Sequence, residues 1–305
     1  MGFGRGERTM VIRESRGDRL FAAFCAILLT LFVISILYPL YFVVIASVSS
    51  PMYVNSGEFL LYPRGLTLAG YEQVFRNEKI WIGYGNSLLY TVFGVLLGAT
   101  VTVMAGYALS YKELKGRGII MGFMVVTMYF GGGLIPFYWI VNRLGLMNTR
   151  VLMVILGSVS TYNIIMVRAF FLSSEVRELR DAAFIDGCGH GRFFLRIAVP
   201  LAKPILATIA LFYAVDKWNE WWNSMLYINR MEMYPLQLIL QNIINTYQSA
   251  TDRNIASADA LNRLKTFSMG IKMAAIVVTM LPIMCVFPFL QRFFVKGIMI
   301  GAVKG

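Results

Sequence analysis

Charge is scarce in this chain. Of its 305 residues, 14% are Asp, Glu, Lys or Arg, where soluble domains carry about 25%. There is one histidine, His190, and the three cysteines, Cys25, Cys188 and Cys285, form no CxxC pair. Neither a disulfide framework nor a zinc site follows from that pattern. No metal or nucleophile constellation surrounds His190, so a catalytic reading of it has little support. No GxxxxGK[ST] loop occurs, which excludes ATP hydrolysis by the usual phosphate-cradling design. The "GFGRGE" near the N-terminus has glycines but no preceding strand, and reads as a flexible tail. There is no low-complexity tract and no clear internal repeat. What the chain does have is apolar residues, 58% of the total, pointing to a polytopic membrane protein. The net charge of +12 is scattered and lacks a base-reading motif, so nucleic acid is not expected as a partner. Membrane proteins gather Lys and Arg in cytoplasmic loops, which accounts for it.

A bilayer core of about 30 Å needs roughly 20 apolar residues as helix. Six such runs lie at Leu20–Ser47, Ser87–Leu109, Ile119–Val141, Val151–Phe171, Ile205–Leu226 and Ile271–Phe293. Lipid offers no partner for free backbone groups, so each run is expected to be helical. The expected fold is therefore all-α, with six transmembrane helices in a lipid bilayer. The first run is far longer than the 7–15 residues of a signal-peptide core and reads as a retained span. In the third, "YFGGGLIP" from Tyr129 to Pro136 predicts a kink or a close helix approach. Placing the N-terminus inside puts the excess of Lys and Arg on the cytoplasmic side. Both termini are then cytoplasmic. The expected organisation is a tail over 1–19, a membrane domain over 20–293 with a cytoplasmic loop over 173–204, and a tail over 294–305. Ser49–Asn86 and Tyr227–Gly270 face outward.

The cytoplasmic loop holds "DAAFIDGCGHGRFFLRIAVP", Asp181 to Pro200, a polar, glycine-broken stretch in an otherwise apolar chain. Ser173 or Ser174 can cap a helix there. Val176, Leu179, Ala183 and Phe184 recur at helical spacing, Gly187, Gly189 and Gly191 interrupt, and "RFFLRIAVPLAKP" can resume as a second helix. The exposed face would carry Arg180, Asp181 and Asp186. Such an element is an amphipathic interfacial helix, a catalytic loop around His190, or a docking element for a cytoplasmic partner.

The spacing Asp181-Ala182-Ala183, three residues, Gly187, nine residues, Ile197, one residue, Val199-Pro200 resembles that of permeases of bacterial ABC importers. Their cytoplasmic EAA motif runs Glu-Ala-Ala, three residues, Gly, nine residues, Ile, one residue, Leu-Pro. Asp stands for Glu and Val for Leu here. "IPFYWIVNRLGLMNT", "KWNEWW" and "FVKGIMIGAVKG" are similar to segments of the carbohydrate (maltose-permease-like) type. "MYFGGGLIP", "ATIALFYAVDKWN" and "YPLQLIL" resemble the LplC/YtcP-like subgroup for complex oligosaccharides. The resemblance implies a type I importer permease in the bacterial inner membrane, with coupling helices seated in a cleft of an ATPase subunit. It implies that Asp181 pairs with a basic group of the ATPase, that Ala182 and Ala183 allow close approach and that Gly187 makes the bend. Ile197 and Pro200 would fix the second helix against the spans. His190 is not a motif position and reads as a surface residue. The implied partners are a second related permease, two cytoplasmic ATPase subunits and an extracellular solute-binding protein docking on the outward segments. No cofactor would bind this chain directly, ATP and Mg²⁺ belonging to the ATPase subunits.

For the solute, the fifth run ends in "DKWNEWWN". Charges within a span face a pathway or each other. Asp216, Lys217, Asn219, Glu220 and Asn223 supply partners for sugar hydroxyls, and Trp218, Trp221 and Trp222 offer faces for sugar C–H groups. An interfacial aromatic belt would explain the tryptophans equally well. Asp216 and Lys217 point about 100° apart and are not expected to neutralise one another, whereas Asp216 and Glu220 share a face. Lys217 is a candidate contact for an anionic sugar such as a uronic acid. Tyr138, Trp139, Tyr162 and Asn163 are secondary pathway candidates, with helix packing as the competing role. The reading is a carbohydrate permease subunit, with no enzymatic activity of its own. Another solute, or a membrane enzyme acting on glycans or lipids, are the alternatives.

Overall fold

The computed structural model describes residues 15–56, 61–252, 269–286 and 288. The expected N- and C-terminal tails fall almost wholly outside them, as does the end of the sixth run. Among the described residues every regular element is helical.

The first element, α1 (Arg16–Val48), starts from a reciprocal cap: Asp18 N–H donates to Ser15 Oγ at 3.1 Å and Ser15 N–H to Asp18 Oδ2 at 2.9 Å. Both orphan donors of a helix start are thereby satisfied. The helix is apolar all round, and only Ile45, Ala46 and Ser47 near its far end are buried. Short helices α2 (Pro51–Asn55) and α3 (Ala69–Arg76) lead into α4 (Glu78–Ser110), which is capped by Asn77.

Helix α4 is the axis of the molecule. Its buried residues Gly83, Ser87, Gly94, Gly98, Thr102 and Gly106 fall four or seven apart and form one stripe. Small residues let backbones approach where lipid gives no hydrophobic drive for helix association. A Cβ at Gly106 would lie 2.7 Å from Val167 of α8 (Thr161–Phe171), and one at Gly98 2.8 Å from the Ser158 carbonyl. Polar groups on α4 hold irregular chain against it. Asn86 Nδ2 donates to the Glu232 and Tyr234 carbonyls at 2.8 and 3.0 Å, and Tyr90 donates to Met233 O at 2.8 Å. Glu232 and Met233 lie in a single 3₁₀ turn, Met231–Met233, whose carbonyls need such partners inside a membrane protein.

Among the described residues three helices are long and apolar enough to cross a membrane: α1, α4 and α14 (Met269–Val286), or up to five if each of two bent pairs is one span. The third run is the first bent pair, α5 (Arg117–Tyr129) and α6 (Leu134–Arg143), which meet at 114°. The glycines make the predicted kink, Gly133 taking φ +82°, but no neighbour lies within 4 Å of a Cβ at Gly131 or Gly132. They give a bend and, among the described residues, no close approach. The fourth run is not one helix. It breaks between α7 (Arg150–Ile155) and α8. The fifth run also stops early, at Trp218, the end of α11 (Lys203–Trp218), and resumes as α12 (Trp222–Tyr227). Helix α11 and the preceding α10 (His190–Leu201) form the second bent pair, at 75°. Between α8 and α10 lies α9 (Ser174–Ile185), and α13 (Leu236–Asp252) packs beside the start of α4.

Candidate functional site

Two polar regions stand out against the apolar helices. The first is the α9–α10 element. Helix α9 ends in a left-handed residue, Gly187, at φ +79°. Gly187 N–H donates to Phe184 O at 3.1 Å and Cys188 N–H to Ala183 O at 2.9 Å. This pair of bonds, 5→2 and 6→1, is a Schellman close. Among the described residues no atom lies within 4 Å of a Cβ at Gly187, so the glycine is required there by its backbone angle and not by crowding.

The element is anchored from below. Val176, Phe193, Ala198 and Ala202 are buried with Phe171 and Val103 in one cluster, and Ala183, Phe184 and Ile197 pack partly against it. Asp181, Ala182, Ile185, Asp186 and Gly187 form an exposed tip. Ile185 is 87% exposed and went unnoticed in the sequence, although an apolar residue directly before the DG turn is its signal. Two expectations change. Pro200 is exposed, and Phe193 and Ala198 do the anchoring assigned to it, because Pro200 lies on the outer side of α10. Arg180 does not join the exposed face. Its side chain is 13% exposed, its Nε stands 3.4 Å from Asp181 Oδ1, and its guanidinium lies 4.8 Å over the Tyr111 ring. A weakly hydrated planar cation favours that aromatic seat. His190 is exposed and its ring meets Tyr111 and Phe184 edge-on.

The second region is a cavity of about 350 Å³ at the break after α11, lined by Leu156, Gly157, Val215, Asp216, Lys217, Asn219, Glu220, Trp221 and Trp222. Asp216 is exposed to it. Asn219, also exposed, turns its Nδ2 back to Val215 O at 2.9 Å. Glu220 accepts from Asn223 N–H at 2.9 Å and from Asn223 Nδ2 at 2.7 Å, which caps the start of α12. Trp221 and Trp222 meet edge to face at 5.5 Å. The cavity therefore gathers two carboxylates, an amide and two indoles, a set suited to hydroxyls and C–H faces.

Lys217 stands apart from this set. It is 5% exposed. Its stem lies against Gly94, where a Cβ would come within 2.6 Å of Cε. Its ammonium donates to Met153 O at 2.8 Å, Val154 O at 2.9 Å and Leu156 O. These carbonyls lie at the end of α7, where the helix leaves acceptors free; Val154 O also accepts from Ser158 Oγ, and a cation there suits the helix dipole. One turn earlier, the Tyr213 hydroxyl accepts from Ser160 N–H at 3.1 Å and bonds Thr102 at 2.7 Å. Tyr213 and Lys217, four residues apart, thus fasten both sides of the α7–α8 break to α11. Lys217 was expected to meet an anionic sugar; its residue borders the cavity, while its ammonium is taken up by these three carbonyls. No ion pair joins Lys217 to Asp216 among the described residues.

Other pathway candidates scatter. Trp218 is 7% exposed, packs in the core beside α13 and α14, and donates to Thr279 O at 3.3 Å. It faces a second, apolar cavity of about 490 Å³ with Trp81, Tyr84 and Leu88. Asn163 is buried at the start of α8, away from the polar cavity. Tyr138 stacks on Tyr227 at 5.8 Å, Trp139 lies under Arg143, and Tyr162 is exposed. None of these lines the polar cavity.

Apolar spans, one broken around a polar cavity, and an anchored helix–glycine–helix tip define an integral membrane permease subunit. Comparison with known proteins narrows this. Protein LplC of Bacillus subtilis (strain 168) is 35% identical over 267 residues, covering 88% of this chain and 89% of LplC. The polygalacturonan/rhamnogalacturonan transport system permease protein YtcP of the same organism is 32% identical over 94% of this chain and 99% of its own. A chain in the crystal structure of a bacterial ABC transporter involved in the import of the acidic polysaccharide alginate superposes with a TM-score of 0.79, at 33% identity, over 92% of this chain and 99% of that one. No family model matches the chain. The chain belongs to the permease subunits of carbohydrate ABC importers. Members of this family are transport subunits, not enzymes, and work with ATPase and substrate-binding partners.

Proposed function

We propose that this chain is one of two related permease subunits of an oligosaccharide importer, and that its α9–α10 tip docks one of two cytoplasmic ATPase subunits. The observation that carries this reading is the tip itself. Asp181, Ala182, Ile185, Asp186 and Gly187 are all exposed on a helix pair whose other face is buried in the chain's own core. An exposed apolar residue ringed by small and acidic ones suits a socket with a basic rim. ATP and Mg²⁺ then belong to the ATPase subunits.

The placement in the membrane follows the charges: six spans within 20–293, both termini cytoplasmic, tails over 1–19 and 294–305, and Ser49–Asn86 and Tyr227–Gly270 meeting the solute-binding protein. The pathway wall on this side is Asp216, Asn219, Glu220, Trp221 and Trp222. YtcP and the alginate transporter are described as acting on sugar polymers, which favours oligosaccharides over single sugars here.

The test is co-purification with the ATPase and second permease encoded beside this chain, comparing the natural chain with Asp181→Lys and Gly187→Val. Loss of the ATPase from a complex that keeps both permeases supports the reading. Retention of ATPase binding and of substrate-stimulated hydrolysis by both variants would return the loop to an interfacial helix.

A further inference from the structure

Tyr107 and Tyr111 sit one turn apart at the end of α4, and neither belongs to the exposed tip or to the cavity. They nonetheless make ring contacts on several sides. Tyr107 meets Phe171 of α8 at 5.3 Å and Phe194 and Phe193 of α10 at 4.8 and 6.4 Å. The two tyrosine hydroxyls share a hydrogen bond. Tyr111 takes the Arg180 guanidinium on its face at 4.8 Å and the His190 ring at 5.3 Å. Arg180 adjoins Asp181 of the tip, and His190 opens α10. The end of α4 is therefore gripped by both helices of the docking element.

The other end of this line is the cavity. Seventeen residues separate Tyr111 from Gly94, about 25 Å of continuous helix. At Gly94 the helix lies directly on the Lys217 stem, and Lys217 holds the α7 carbonyls beside the cavity. Close-packed contacts of this kind transmit displacement because there is no void to absorb it.

We infer that Tyr111, with Tyr107 behind it, is the joint through which the docking loop moves α4, and that α4 carries the motion to Lys217 and the cavity wall. Tyr111 is a positioning residue: it touches neither solute nor nucleotide. The inference rests on the ATPase-docking reading of the α9–α10 tip. A competing route exists along the chain, from α10 directly into α11, but those helices meet at a 75° bend.

The experiment uses the full complex in nanodiscs. The three native cysteines are replaced by serine, and a cysteine is placed at the cavity by Asp216→Cys. Maleimide labelling is timed with and without ATP plus vanadate. The parent should show a change in labelling rate of about fivefold or more, the size of an ordinary coupling. Tyr111→Ala should abolish that change while ATPase subunits still co-purify and hydrolyse ATP, and Tyr111→Phe, which keeps the ring, should restore it. An undiminished change in Tyr111→Ala would overturn the inference in favour of the α10–α11 route. Loss of the ATPase subunits from Tyr111→Ala would overturn it too, by making Tyr111 part of the docking surface. If Tyr111→Ala fails to assemble, Tyr111→Leu, similar in bulk but without the ring face, decides in the same way. Failure of the docking reading is separable, since it shows as ATPase retention in Asp181→Lys and Gly187→Val.

Discussion

Replacing Lys217 by Met separates two roles for a charged residue in this membrane protein. Met keeps much of the stem that fills the groove at Gly94. It removes the three donors that satisfy Met153, Val154 and Leu156 carbonyls. A buried acceptor left unpaired costs about 1–3 kcal/mol. Ser158 Oγ still donates to the Val154 carbonyl, so Met153 and Leu156 are left, at about 2–6 kcal/mol, offset by water entering from the adjoining cavity of about 350 Å³ and by relief of the ammonium's desolvation. A net loss of about 3 kcal/mol follows, enough to lower the melting temperature by roughly 6 °C or more in a domain of this size. Thermal unfolding of the complex in nanodiscs, read by size exclusion, measures it. Uptake of acidic and neutral oligosaccharides should fall together, because the whole α7–α8 break loosens. Unchanged stability with selective loss of acidic uptake would refute this account and make Lys217 a solute contact.

Four further substitutions test other parts of the structure. Gly106→Leu places side-chain atoms where a Cβ alone would be 2.7 Å from Val167, so α4 and α8 separate and complex yield after solubilisation should collapse. Ile185→Asp alters a residue 87% exposed; the isolated chain should keep its melting temperature while ATPase co-purification falls, and a fall in melting temperature would contradict the exposed tip. Trp222→Ala should raise the half-saturating solute concentration for uptake without loss of stability. Trp218→Ala, in the core, should lower stability by about 3–5 kcal/mol, measured by the same thermal assay.

The sequence carried the long elements and the helix–glycine–helix turn well. Apolar length alone located α1, α4 and α14, and the glycine at 187 marked the turn because only its backbone angle mattered there. The breaks in the fourth and fifth runs were not legible, since "VLMVILGSVSTYNIIMVRAFF" is apolar enough to read as one span. What permits the break is remote: Tyr213 and Lys217 supply its hydrogen bonds from α11. The same residues explain why the pathway candidates do not all gather at one cavity. Position in a span identified Lys217 and Trp218 as polar or aromatic, but which way each faces depends on helix neighbours, and here Gly94 and Thr279 decide it. Asp216, Asn219, Glu220 and Trp222 come together at one cavity because they sit at or beyond the end of α11, where the chain opens. Arg180 was misplaced for a similar reason: its seat, Tyr111, lies some seventy residues away in sequence.

The α7–α8 break also sets an order of events at the ribosome. Helices α1 and α4 close their own backbone hydrogen bonds and can enter lipid as they are made. The segment at 156–160 cannot, because Lys217, which holds the Leu156 carbonyl, is synthesised 61 residues later. Until α11 arrives, that stretch must wait at the interface or inside the insertion machinery. A chain stalled between those two points would expose unpaired carbonyls that quality-control proteases can recognise.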